Sequence, residues 1–124
     1  MDGCNPMDYI IPMMLTVAEM REYIKRAEKL LSAKDRDDIV NYLAVHPKAG
    51  TVLQGTGGIR KLRWRRQGTG KSGGVRIIYY YYDESIPLYL VTVFGKNEKD
   101  NLSHAELNDL AKLTSILVDY WRKK

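Results

Sequence analysis

The basic residues between Lys48 and Arg76 are the ones of this chain best placed to do chemistry, because nothing near them in the sequence neutralises them. From Ile39 to Tyr82 there is no Asp or Glu, yet Lys48, Arg60, Lys61, Arg63, Arg65, Arg66, Lys71 and Arg76 all fall there. The flanks are slightly acidic, so the formal net charge of +5 originates in this stretch. A cationic segment without acids projects a positive potential towards phosphates, which points to nucleic acid as the partner. If that partner is RNA, its own 2′-OH can attack the adjacent phosphate. An enzyme assists by removing that proton, stabilising the doubly charged phosphorane and protonating the leaving oxygen. An arginine of the stretch can fork onto two phosphate oxygens, and a lysine among like charges could serve as the base. The ordinary alternative is a solvated basic face, the usual fate of isolated Lys and Arg. The acid-free context favours phosphate binding over it.

These cations need a scaffold that points them one way. Ile59 to Arg66 alternates as a strand, with Leu62 and Trp64 towards a core and Lys61, Arg63 and Arg65 on the other face. Eight of the ten glycines lie between Ala49 and Val75, on both sides of this strand. Gln67 to Gly74 reads as a hairpin loop carrying Lys71, and Val75 to Tyr82, rich in Ile and Tyr, as the next strand. Asp83 to Pro87 makes a turn and Leu88 to Phe94 a further strand of the same meander. Of the four consecutive tyrosines, alternation puts only Tyr80 and Tyr82 on the Arg76 side, where they could stack bases. Tyr79 and Tyr81 belong to the core, as do Trp64 and Trp121, the tryptophans being expected to help hold the last helix to the sheet.

Upstream, Tyr9 to Leu15 is apolar enough for an edge strand interrupted by Pro12. Thr16 and Glu19 match a capping box, so a helix is expected to begin there, burying Met20, Tyr23, Ile24, Ala27, Leu30 and Leu31. Ser32 and Asp35 suggest the cap of a second helix, which His46-Pro47 stops. Downstream, Ser103 and Glu106 form another capping box, opening a helix whose Leu107, Leu110, Ala111, Thr114, Leu117, Val118 and Trp121 share one face. The expected architecture is a small α+β domain: an N-terminal helical hairpin, a twisted antiparallel sheet and a C-terminal helix. Residues 1–8 read as a loose leader, and 9–124 as a single domain.

Composition narrows the setting. With Cys4 as the single cysteine, one chain can build neither a disulfide framework nor a thiolate zinc site. The longest apolar run, Ile10 to Leu15, is far shorter than the roughly 20 residues that span a bilayer, and the start lacks the pattern of a signal peptide. A cytoplasmic protein with no membrane contact is expected. No cluster of His, Asp or Glu suggests a metal, no Ser/His/Asp arrangement suggests a hydrolase, and no cofactor is expected. Gly55-Thr56-Gly57-Gly58 lacks the spacing and the terminal Lys-Ser/Thr of a phosphate loop.

Four ordered blocks carry a resemblance. They are Pro47-Lys48-Ala49-Gly50, Gly55 to Arg63, Gly73 to Tyr80, and Gly95-Lys96-Asn97-Glu98-Lys99. Together they resemble the RelE/ParE toxin superfamily, most closely its HigB-type branch, over about Thr16 to Trp121. The resemblance implies a sheet flanked by helices that binds in the ribosomal A site and cleaves translated mRNA, inhibiting translation. It also implies a cognate antitoxin, of helix-turn-helix type, as partner. By this similarity Lys61, Arg63 and Arg76 are catalytic and Lys96 and Lys99 follow the last strand of the site; with those two, Arg60, Arg65, Arg66 and Lys71, from the basic stretch, and Tyr80 and Tyr82, from alternation, are expected to contact RNA. Where RelE has a Tyr for acid/base chemistry, this chain has Leu102-Ser103-His104, and Asn97 stands where RelE carries an Arg. His104 is the candidate replacement, against the plainer reading of an exposed first-turn residue. The rival readings are a ParE-type gyrase-inhibiting toxin and a non-catalytic nucleic-acid-binding module. Fold alone does not separate them.

Overall fold

The computed structural model describes residues 15–66, 74–99 and 101–123. The expected leader, the Tyr9 to Met14 part of the first strand, and Lys71 with most of its loop lie outside the described residues. Within them the order is β1 (Val17–Glu19), α1 (Arg21–Leu30), α2 (Ala33–Val45), β2 (Thr51–Val52), β3 (Ile59–Arg65), β4 (Gly74–Tyr80), β5 (Leu88–Gly95) and α3 (His104–Arg122). The five strands form one sheet in the order β1-β5-β4-β3-β2. Among the described residues no helix is long and apolar enough to cross a membrane.

The α+β class and the closing helix are as expected, but the sheet is mixed. Strands β2 to β5 pair antiparallel, whereas β1 runs parallel to β5. That edge strand also overturns the expected first cap. Val17, Ala18 and Glu19 pair with Leu88, Tyr89 and Leu90, and the Met20 N–H donates to the Leu90 carbonyl at 2.9 Å. With its backbone engaged by β5, the Thr16 segment stays extended and α1 starts at Arg21 without a side-chain cap. Ile24, expected in the core, is 42% exposed, while Tyr23, Ala27 and Leu31 are buried. Burial pushes the Tyr23 phenol above its ordinary range.

Each sheet face carries its own core. On one side Tyr23, Ala27, Leu31, Ile39 and Leu43 from the α1–α2 region pack on Val75, Ile77, Tyr79, Leu88, Leu90 and Val93, with Leu62 and Trp64 at the margin. On the other, Leu110 and Leu117 of α3 pack on Ile59, Ile78, Tyr80, Val91 and Phe94. The β4–β5 register passes from Ile78↔Thr92 to Tyr79↔Leu90, leaving Val91 as an inserted residue. This bulge lets Leu90 and Val93, three apart, face the same side, and so turns Phe94 towards α3.

Caps and locks place α2 and α3. The Ser32 hydroxyl accepts from the Asp35 N–H at 3.0 Å. At α3 the full capping box forms, Glu106 N–H to Ser103 Oγ at 3.1 Å and Ser103 N–H to Glu106 Oε1 at 2.8 Å. The Trp121 indole donates to the Tyr89 hydroxyl at 2.9 Å, tying the end of α3 to β5 as expected of that tryptophan. Trp64 instead packs on the α1–α2 side. Midway along α3, the buried Thr114 hydroxyl lies 2.9 Å from the Thr56 carbonyl, and a Cβ on Gly57 would come within 2.5 Å of it. Gly57 therefore serves both the turn, at φ +79°, and the close approach of α3.

Gly55 has the same φ of +79° but open space around its Cβ position. Gly55→Ala should therefore cost only the left-handed strain, about 1 kcal/mol, and Gly57→Ala about 2–4 kcal/mol, since it adds a collision with Thr114. Urea unfolding of the two variants checks this; equal losses would show that Gly57 does not set the approach of α3.

Candidate nucleic-acid interface

Register, more than sequence proximity, assembles the cations. Arg63 on β3 lies opposite Arg76 on β4, which lies opposite Phe94 on β5. Residues paired across strands point to the same side, so these three form a row facing the α3 side. Lys61, Ile78 and Thr92 form the next row, with Thr51 of β2 beyond Lys61, and Ile59, Tyr80 and Tyr89 the third. The apolar members of this face, Ile59, Ile78 and Tyr80, share a cluster with Leu110 and Leu117 of α3. The cationic members occupy the other end of it. Arg65 sits opposite Gly74, and Lys96 follows directly after β5. Arg63, Arg65, Arg76 and Lys96 line one cavity of about 280 Å³ together with Trp64 and Gly74.

The electrostatics are unfavourable by design of the register. Two like charges directly opposite on neighbouring strands are destabilising. Arg76 is only 9% exposed, and its guanidinium donates weakly to the Val75 carbonyl at 3.4 Å. Buried charges are usually paired. Among the described residues the ion pairs are Arg26–Glu98, Lys34–Asp38 and Lys99–Glu106, and none involves Lys61, Arg63, Arg65, Arg76 or Lys96. A phosphate in the cavity would relieve this repulsion, which is how such a row gains affinity for an anion.

Several of the residues expected to contact RNA have partners within the protein or are buried. Arg60 points to the opposite face, where its guanidinium donates to the carbonyls of Lys48 at 3.1 Å and Gly50 at 2.8 Å. Arg66 donates to the Leu30 carbonyl at the end of α1, at 3.2 Å, a placement that suits the negative end of a helix. Lys99 pairs with Glu106 and lies 5.1 Å from the centre of the Phe94 ring, so its charge is used at the start of α3. Tyr80 is 2% exposed and has no ring face to offer a base; burial raises its phenol above the ordinary value. Tyr82 lies beyond β4 and is 44% exposed. His104 is exposed at the first position of α3. Tyr79 is buried on the other face, where its hydroxyl accepts from the Gly50 N–H and donates to the Pro47 carbonyl, both at 2.8 Å.

Sequence reading missed the support behind Lys96. Arg26 of α1 donates through Nε to the Val93 carbonyl at 2.6 Å and pairs with Glu98, whose Oε1 accepts from the Gly95 N–H at 2.9 Å. Arg26 and Glu98 are 72 positions apart, and no local pattern joins them. Their clamp borders a larger groove of about 480 Å³ lined by Met20, Phe94, Leu102, Leu110 and Leu113 among others. At that groove Arg26 and Lys99 are paired with carboxylates, and Arg21 shares the lining with Glu22 and Asp109, so it lacks the purely positive charge of the smaller cavity.

The family model of the RelE toxin of the RelE/RelB toxin–antitoxin system matches residues 44–124, which include every strand of the cationic face and all of α3. The chain belongs to the RelE toxin family. It is, accordingly, the toxin of a toxin–antitoxin system, and an antitoxin is its implied partner. Its fold is similar to that of E. coli toxin RelE, solved in the free state as a mutant with two arginines replaced by alanine. The TM-score is 0.52 at 18% identity, over 71% of this chain and 90% of that one.

If this RelE-family toxin keeps the Arg63–Arg76 pair at the expense of its own stability, relieving the pair should stabilise the fold. Arg63→Thr, with a side chain suited to strands, is expected to raise unfolding stability by about 0.5 kcal/mol at low salt. The gain should shrink as salt screens the repulsion. Urea titrations at two ionic strengths check it; a loss of stability at low salt would mean that Arg63 has a stabilising partner in the fold.

Proposed function

We propose that this RelE-family toxin is a metal-independent endoribonuclease that cleaves mRNA on the ribosome and so inhibits translation. The observation that carries the proposal is the Arg63–Arg76 row, with Lys61 and Lys96 beside it, which has no carboxylate partner among the described residues. An all-cation lining repels a divalent metal and attracts phosphate, which supports chemistry in which side chains alone stabilise the transition state. Arg76, fixed in its row and largely buried, and Arg63 opposite it are assigned to the non-bridging phosphate oxygens, where charge accumulates in the phosphorane. Lys61, one row further along the same face, is assigned to the 2′-OH as base. The 2′-oxygen forms its bond to phosphorus as the bond to the 5′-oxygen breaks, leaving a cyclic phosphate and a 5′-hydroxyl. His104 is the candidate to return a proton to the leaving oxygen.

Arg65, Lys71, Lys96 and the exposed Tyr82 are proposed to extend the RNA contact, whereas Arg60, Arg66, Lys99 and Tyr80 are not. The ordered glycine and basic blocks support placement in the HigB-type branch. That reading brings with it a cytoplasmic setting and an antitoxin of helix-turn-helix type. A gyrase-directed toxin would leave the unpaired row without a task.

The test is primer extension on mRNA from cells induced for the wild-type chain or for a Lys61→Ala, Arg63→Ala, Arg76→Ala triple variant. The wild type should cut within translated frames and arrest growth. Because one preorganised transition-state contact is worth about 10²–10³ in rate, the triple variant should give no cuts while remaining folded by circular dichroism. Cuts of equal intensity from the folded triple variant would place the chemistry elsewhere.

A further inference from the structure

Lys96 is the one cation of the cavity that no strand holds. β5 ends at Gly95, and Lys96 begins the turn that follows. A lysine on a turn loses affinity to the entropy of fixing both its backbone and its long side chain, unless the turn is already ordered. This turn is ordered by contacts to three parts of the molecule. The Lys96 N–H donates to the Gly74 carbonyl at 3.0 Å, on the strand that bears Arg76. The Glu98 N–H donates back to the Gly95 carbonyl at 3.0 Å, and the Glu98 carboxylate accepts from the Gly95 N–H at 2.9 Å. The same carboxylate pairs with Arg26 of α1, which is itself anchored on the Val93 carbonyl.

Resting on the nucleic-acid reading above, we propose that Glu98 is a positioning residue for RNA: with Arg26 it holds the 95–98 turn so that Lys96 faces the cavity of Arg63, Arg65 and Arg76. The Gly95 amide, and then Arg26, hold the Glu98 carboxyl below the usual carboxylate range, so the clamp stays closed at neutral pH. Pairing with Arg26 has a second consequence. It neutralises an acid that would otherwise repel phosphate two residues from Lys96.

Electrostatics alone and positioning predict opposite signs. Glu98→Ala removes a negative charge and leaves the Arg26 guanidinium unpaired, and both changes would tighten RNA binding if charge were all that mattered. Positioning predicts weaker binding. Affinity for a labelled single-stranded RNA is measured by fluorescence anisotropy for the full chain, Lys96→Ala, Glu98→Ala, Glu98→Gln and the Lys96→Ala/Glu98→Ala double variant.

Glu98→Ala and Lys96→Ala should each weaken binding roughly fivefold and lower the slope of log K against log salt by about 0.7, the signature of one lost phosphate contact on a single strand. The double variant should bind no worse than either single one, since both remove the same contact. Glu98→Gln keeps an acceptor for the Gly95 amide and should lie between; it also serves if the alanine variant fails to fold. Unchanged or tighter binding by the Glu98 variants, or fully additive losses, overturns the inference. If the wild type binds RNA and Lys61→Ala/Arg63→Ala/Arg76→Ala does not, while Glu98→Ala matches the wild type, the inference fails and the nucleic-acid reading stands. A wild type that binds no RNA removes both.

Discussion

Repulsion between Arg63 and Arg76 is the constraint on which the cationic face depends. The two residues are a fixed β3–β4 pair, and their side chains share one side of the sheet. Such a pair costs a few tenths of a kcal/mol to about 1 kcal/mol on its own, and a largely buried guanidinium adds to that. Much of the surrounding structure can be understood as what holds the pair against this cost. The two-sided core clamps β4, whose Val75, Ile77 and Ile78 are fully buried. Phe94, brought to the same side by the bulge at Val91, walls off Arg76 on its other flank.

The same residue types do different work according to which way the strand or loop turns them. Arg60 and Lys61 are neighbours in sequence, yet one guanidinium satisfies backbone carbonyls of the 48–50 segment and the other cation has no ion pair among the described residues. Arg66 and Arg26 serve α1 and the end of β5, and Lys99 serves the first turn of α3. Among the described residues the cations therefore divide into a structural set, held by carboxylates or by close hydrogen bonds to carbonyls of other segments, and a set without either, proposed above to meet RNA. The sorting matters for affinity, because a cation must reach a phosphate to release counterions from RNA on binding.

What could be read from the sequence was local or periodic. The parity of Leu62 and Trp64 against Lys61, Arg63 and Arg65 survives in the structure because β3 is regular over its length. The Ser32 and Ser103 caps formed as expected, each followed by a helix with nothing competing for its first amides. Thr16 and Glu19 present the same pattern and do not cap, because β5 takes that backbone as a parallel edge. A capping motif is a local signal, and the partner that overrode it lies about seventy residues away. For the same reason the bulge at Val91, the Arg26–Glu98 clamp and the Gly57–Thr114 approach were not legible. Each depends on where two distant segments meet. The basic stretch suggested a phosphate partner, but only the register shows which of its cations share one sheet face.

The central claim is that these cations contact phosphate together, and the salt dependence of RNA binding measures this most directly. Each phosphate neutralised on a single strand contributes about −0.7 to the slope of log K against log salt. Titrating a labelled single-stranded RNA with the wild-type chain and with the Lys61→Ala/Arg63→Ala/Arg76→Ala variant, at a series of salt concentrations, should give slopes that differ by about 2. Equal slopes, with both proteins folded, would show that Lys61, Arg63 and Arg76 do not bind phosphate and would contradict the account.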